Sequence, residues 1–310
     1  GEIRDKLVLD ELEAKFGDAY RWSASQLEKY AQCPFAFFVE RVLELDEPSE
    51  FEYQPSPKHL GLIAHDLLAV FYKTTKGNLP ECLEGVSLEI FERLADEVFS
   101  QQEESAPWIP ALWGINKRKI RDGVRAYIEA ELTSLAKNHE EPHLMEHPFG
   151  YDEPLTIQGT NMAGRPVKLR ICGSIDRVDR YLEAGEVVHH VLDYKWKNTP
   201  SRNGYEDGSV LQGPIYLCAI RIDGLEPGKC RYRRIDLTEP KKISNAAQTR
   251  ADSARFNQAM TIAFSIPERV RGGLFEASLA ATMRTWPWHF PGRELCRSQA
   301  VLPGGTRFDD

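Results

Sequence analysis

Several absences in this sequence each exclude a class of protein. No apolar run approaches the roughly 18 residues that span a bilayer, so no membrane helix is read from it. The six cysteines, Cys33, Cys82, Cys172, Cys218, Cys230 and Cys296, include no CxxC pair. Scattered without a secretion signal, they read as reduced thiols of a cytoplasmic protein. Basic residues are in deficit: 39 Lys and Arg stand against 47 Asp and Glu, a net charge of −8. That balance argues against a protein that coats nucleic acid, while leaving room for a local basic groove. No GxxxxGK[ST] is present, so any nucleotide-driven motor lies elsewhere. Repeats and low-complexity segments are absent. The opening Gly1-Glu2-Ile3-Arg4 is charged and lacks an apolar signal core, and Gly1 in place of Met makes a piece of a longer chain the expectation.

What is present is a helical first half and a mixed second half. Hydrophobic residues make up 42% of the chain, enough for a sizeable core. Residues 1–20 read as a charged lead-in helix or linker. Ser25-Gln26-Leu27-Glu28 fits a capping box at a helix start. That helix should end near Cys33, because Pro34 restricts its predecessor and then opens a second short helix. Residues 46–57 read as a loop. Leu60, Ile63, Ala64, Leu67, Leu68 and Phe71 recur at helical spacing. Residues 84–105 and 114–137 read as two amphipathic helices, an insertion spanning about 80–140. From about 144 the period becomes two. Residues 167–176 alternate as one strand, and 187–196 (VVHHVLDYKW) form a second. Then come a helix over 209–221, a strand over 229–237 and a helix over 252–271. The order predicts one α/β domain with a helical insertion.

The two strands flank Glu183-Ala184-Gly185-Glu186, which suits a tight turn. A hairpin centred on Ala184-Gly185 sets Asp176 directly opposite Asp193, with Cβ atoms roughly 5 Å apart. Carboxylates so close repel, and they need a cation between them or a raised pKa. Lys195 lies two residues beyond Asp193 and shares its face. Two acids and an ammonium group suit phosphodiester hydrolysis: Mg²⁺ takes carboxylates and keeps waters, and a lysine steadies developing negative charge. A surface hairpin with a salt bridge would produce the same pattern.

Five segments taken together resemble the RecB-like branch of the PD-(D/E)XK nucleases, whose relatives include the AddB nuclease domain. They are SASQLEKYAQCPFAFFVERVL (23–43), GLIAHDLLAVF (61–71), GSIDRVDR (173–180), VLDYK (191–195) and LQGPIYLCAI (211–220), in the family's order. The resemblance implies a restriction-endonuclease-like core, a small mixed sheet flanked by helices, occupying 21–310. It implies that His65, Asp176 and Asp193 bind metal, helped by the backbone carbonyl of Tyr194, and that Lys195 is catalytic. Gln212 and Tyr216 match the QxxxY motif, four apart and on one helix face. The implied cofactor is Mg²⁺ or Mn²⁺. The chain departs from the family where Trp196-Lys197 replaces Thr-Gly after DYK. Some relatives hold a [4Fe–4S] cluster with four cysteines. Here Cys33 matches the first and Cys296 is the one cysteine of the tail, so no iron–sulfur cluster is expected. Packing by Trp286, Trp288 and Phe290 is expected in its place.

A nuclease must also hold a polyanion. Candidate contacts are Lys117, Arg118, Lys119 and Arg121 on the insertion, and Arg177, Arg180, Lys197 and Arg202 around the hairpin. Trp113, Trp196 and Tyr205 are candidates for stacking on bases. The expected function is metal-dependent DNA cleavage at single-stranded ends, in repair or recombination, beside a helicase subunit or the helicase domain of a longer chain. A CRISPR-adaptation-type exonuclease shares these motifs. A catalytically inactive nuclease fold that binds DNA or supports a helicase is the rival from another class.

Overall fold

The structure is a computed structural model, and it describes residues 1–45, 53–105, 108–196, 199–236, 239–240, 243 and 245–277. The elements, in chain order, are α1 (Lys6–Phe16), α2 (Ala24–Gln32), α3 (Pro34–Phe37) followed by a π-helical turn at Phe38–Val42, α4 (Pro57–Thr74), α5 (Val86–Ser105), α6 (Pro110–Asn138), β1 (Glu140–Phe149), β2 (Leu155–Thr160), β3 (Pro166–Ile171), β4 (Gly173–Glu183), β5 (Glu186–Trp196), α7 (Gly204–Asp207), α8 (Gln212–Ile222), β6 (Pro227–Ile235), β7 (Asn245–Arg250) and α9 (Ala254–Arg271).

Five strands form one mixed sheet in the order β1-β4-β5-β6-β7. Every neighbouring pair is antiparallel except β5 and β6, which run parallel. A parallel pair needs a crossover, and α7 and α8 supply it. Each face of the sheet carries a helical layer. On one side α4, α5 and α6 pack through Leu67, Phe91 and Ile128 onto Met145, Leu192 and Tyr194. On the other, α1, α2, α8 and α9 pack through Phe16, Leu27, Ile215 and Phe264 onto Ile175, Val178, Val191 and Tyr232. The mixed sheet flanked by helices is the architecture expected from the sequence.

Three local readings change. The capping box lies two residues earlier: Ser23 Oγ accepts from Gln26 N at 3.2 Å, and Gln26 Oε1 accepts from Ser23 N at 2.9 Å. Glu28 is thereby left for another partner. The run 167–176 is two strands broken at Cys172. β3 pairs with β2 in a separate two-stranded sheet, and β4 joins the main one. The alternation continues across the break, so periodicity does not reveal it. Residues 1–20 hold a helix that belongs to the core: Leu12 and Phe16 are fully buried against Trp22 and Phe37. Burial of such side chains stabilises by about 1.5–3 kcal/mol each.

Candidate metal and catalytic site

The turn between β4 and β5 places Ala184 and Gly185 at φ 52° and 91°, the left-handed pair of a two-residue hairpin turn. The register follows from it: Glu183 pairs with Glu186, and Arg177 with Leu192. Asp176 and Asp193 each lie one residue beyond this last pair. The backbone ladder stops there. Asp176 Oδ2 instead accepts a hydrogen bond from Tyr194 N at 2.7 Å, so the carboxylate satisfies an amide that the ladder leaves open.

A third acid comes from β1. Met145 pairs with Arg177 and His147 with Ile175, which places Glu146 against Asp176. Three adjacent strands thus contribute Glu146, Asp176 and Asp193 to one site. His65 comes from α4, with Nε2 2.9 Å from Asp176 Oδ2 and Nδ1 3.2 Å from Glu146 Oε1. Gly61, one turn earlier, fixes this approach. A Cβ there would meet Trp196 Cβ at 3.0 Å and Cγ at 3.1 Å, so a side chain would have to push α4 and the end of β5 apart by a few tenths of an ångström.

The site stores electrostatic conflict. Burial alone would lower the His65 pKa, but the hydrogen bond and charge of Asp176, with Glu146, raise it to about 9. Burial and then the Asp176 charge push Asp193 up to about 7, against the pull of Lys195. Glu146 is raised by burial, with the Asp176 charge adding to it. Burial works against the Lys195 ammonium, yet Asp193 at 2.8 Å leaves it raised.

The donor set fits a divalent cation. His65, Glu146 and Asp176 each offer one ligand atom, all within 4.8 Å of one another. Glu146 Oε1 and Asp193 Oδ2 are buried and make no hydrogen bond; each faces a cationic side chain without hydrogen-bond geometry. Carboxylates with one imidazole are donors of the kind that hold divalent metals.

Lys195 Nζ donates to Gln212 Oε1 at 2.7 Å, and Gln212 Nε2 donates to Tyr216 Oη at 3.0 Å. The structure therefore brings together His65, Asp176, Asp193, Lys195, Gln212 and Tyr216, and puts Tyr194 N in the same site. Sequence reasoning missed Glu146 and Glu28. Glu28 Oε1 accepts from both Leu211 N and Gln212 N, at 2.7 and 2.8 Å.

The expected polyanion contacts fare unevenly. Arg177 is fully buried and cannot reach nucleic acid. Its guanidinium is held by Asp179 at 2.7 Å, by Glu131 at 3.0 Å and by Tyr194 Oη. Trp113 and Tyr205 are likewise core residues, and Tyr205 donates to the carbonyl of Ala247. Trp196 packs on Gly61 and is half-buried. Lys117 is paired with Glu103, Arg121 with Asp96 and Glu92, and Arg180 with Glu141. Arg118 and Lys119 are exposed without an ion-pair partner among the described residues, and Arg202 is exposed. Lys197 lies outside the described residues, as do Cys296, Trp286, Trp288 and Phe290. Cys33 is buried between α2 and α3, and its Sγ accepts from Ala36 N at 3.4 Å.

Comparison with known proteins identifies relatives of this chain. The chain is 28% identical over 243 residues to a subunit of an ATP-dependent helicase/deoxyribonuclease from Thermoanaerobacter sp. (strain X514), covering 71% of this chain and 20% of that protein. Proteins of the same name match from Clostridium novyi (strain NT), 28% identical over 256 residues, 75% of this chain and 21% of that one, and from Natranaerobius thermophilus, 29% over 188 residues, 57% and 15%. The chain thus spans about a fifth of the length of the first of these relatives. The family model of the PD-(D/E)XK nuclease superfamily matches residues 21–287. The chain belongs to the PD-(D/E)XK nuclease superfamily.

Proposed function

We propose that this chain is a metal-dependent nuclease that hydrolyses DNA phosphodiester bonds at single-stranded ends. The observation that carries the reading is the grouping of Glu146, Asp176 and Asp193, with His65 against the first two and Lys195 against the third. His65, Glu146 and Asp176 would hold a divalent cation, with Asp193 and the carbonyl of Tyr194 beside it. When bound, such an ion polarises the phosphate and lowers the pKa of a coordinated water.

The chain's own residues supply the remainder. The Lys195 ammonium is held between Asp193 Oδ2 and Gln212 Oε1. It is a fixed positive charge for the negative charge that grows on the phosphate oxygens. Tyr216 accepts from Gln212, which leaves its own hydroxyl proton to offer to a phosphate oxygen. Burial and the nearby aspartates hold its pKa well above the ordinary tyrosine range, so it stays a donor. Exposed Arg118 and Lys119 are candidate backbone contacts. The relatives are named as subunits that pair helicase with deoxyribonuclease. Together with the share of them that this chain spans, this supports a nuclease module working beside a helicase in DNA repair or recombination.

End-labelled single- and double-stranded DNA, incubated with Mg²⁺, Mn²⁺ or EDTA, tests the reading. Cleavage should require Mg²⁺ or Mn²⁺, favour single-stranded ends and disappear in Asp193→Asn. Turnover in EDTA, or an Asp193→Asn variant as active as wild type, would sink it.

A further inference from the structure

We propose that Glu28 is a positioning residue for catalysis, acting on Lys195 through the N-terminus of α8 and the side chain of Gln212. The inference rests on the nuclease reading and extends it to a residue outside the acid cluster.

The N-terminus of α8 has an unfilled need. The first amides of a helix have no partner within it. A side chain at the N-cap position usually supplies one. In α8 that position is Leu211, which has no polar side chain, and it makes no side-chain cap. Glu28, on α2, fills the gap from 183 residues away in sequence. Its Oε1 accepts from both Leu211 N and Gln212 N. Tyr232 Oη takes the next amide, Gly213 N, at 2.9 Å.

The anchored residue is itself the one that reaches the lysine. Gln212 carries a backbone amide held by Glu28 and a side-chain oxygen held by Lys195 Nζ at 2.7 Å. A shift of the α8 terminus therefore carries the Gln212 amide group with it. The Lys195 ammonium, whose other contact is Asp193 Oδ2, would follow. The hydrogen bonds of the Glu28 carboxylate go to the α8 backbone and not to the metal-binding side chains, so its hydrogen-bonded hold on the site passes through Gln212, while its charge also bears on Lys195 and Asp193 through space.

Four single variants and one double variant test this by steady-state cleavage of labelled single-stranded DNA, with Mn²⁺ binding and thermal melts run alongside. Wild-type turnover, measured first, bears on the nuclease reading; the variant ratios bear on Glu28. Glu28→Met removes the acceptor and should lower kcat by about 10- to 100-fold, the cost of a small misplacement, with KM and Mn²⁺ affinity unchanged. Glu28→Gln keeps an oxygen within reach and should recover most of that loss. Glu28→Asp keeps the charge but shortens the reach, so it should be slow, and it keeps the test decisive where the methionine variant does not fold. Glu28→Met combined with Gln212→Ala should be no slower than Gln212→Ala alone, because one path is cut twice. The proposal is overturned by wild-type kcat in Glu28→Asp, by full multiplication of the two losses, or by a loss explained by weaker Mn²⁺ binding.

Discussion

Beneath the acid cluster lies a buried charge network whose hub, Glu131, comes from α6. Its carboxylate contacts Arg177 at 3.0 and 3.2 Å, is ion-paired with Arg233, and accepts from Tyr72, Tyr127 and Tyr194. Glu131, Arg177 and Arg233 have almost no exposed surface. Burial would raise the Glu131 pKa, yet the two guanidiniums hold it at about 2. The distance from the ordinary 4.5 to about 2 corresponds to roughly 3 kcal/mol of preference for the charged form. Glu131→Gln keeps the shape and removes the charge. Arg177 would retain Asp179, but Arg233 would be left with the neutral Asn245 oxygen. Breaking a buried pair on one side costs about 3–5 kcal/mol, so two routes agree. The melting temperature should fall by roughly 5–8 °C, read by differential scanning calorimetry. The sign with pH is fixed. A depressed carboxylate stabilises above its unfolded pKa and loses that contribution as pH falls through its folded one. The gap between wild type and variant should therefore be constant above about pH 5 and shrink only from 4.5 toward 2. An unchanged melting temperature at pH 7 would refute the hub assignment.

Two further outcomes follow from the site. Lys195→Met should reduce turnover by about 10²- to 10³-fold, as loss of a transition-state donor does, and spare Mn²⁺ binding in a calorimetric titration; abolished metal binding would contradict its role. Mn²⁺ binding at pH 8 should release protons, because His65 is held protonated up to about 9 and ligands must be deprotonated. Titrations in buffers of different ionisation enthalpy should report that release, and a buffer-independent heat would count against His65 as a ligand.

How much of this is legible in the sequence depends on how local each contact is. The Asp176–Asp193 pair is closed by a two-residue turn, so its register can be read directly, and Lys195 follows from the strand period. Glu146 faces Asp176 from across an excursion of more than twenty residues containing β2 and β3. No local rule sets the register of strands so connected, and the third acid stays hidden. Glu28 is visible, but the sequence pattern puts it in the wrong cap, because two overlapping serines both satisfy the same short motif.

Arg177 escapes sequence reasoning for a different reason, one that lies in how this sheet is covered. In Asp176-Arg177-Val178-Asp179-Arg180 the two arginines look alike, and alternation alone cannot say which one faces solvent. Both faces of the sheet are covered by helices, so a charge on either face is buried unless it lies near an edge or a loop. A buried arginine needs counter-charge at once. Arg177 has it two residues on, in Asp179, on the same face of the strand. Arg180, by contrast, pairs with exposed Glu141 across the strands. An Arg-x-Asp within a strand flanked by helices on both sides is therefore better read as one half of an internal network than as a hand for phosphate. Here that network ties helix α6, through Glu131, Arg177 and Tyr194, to the backbone that flanks Asp176 and Asp193.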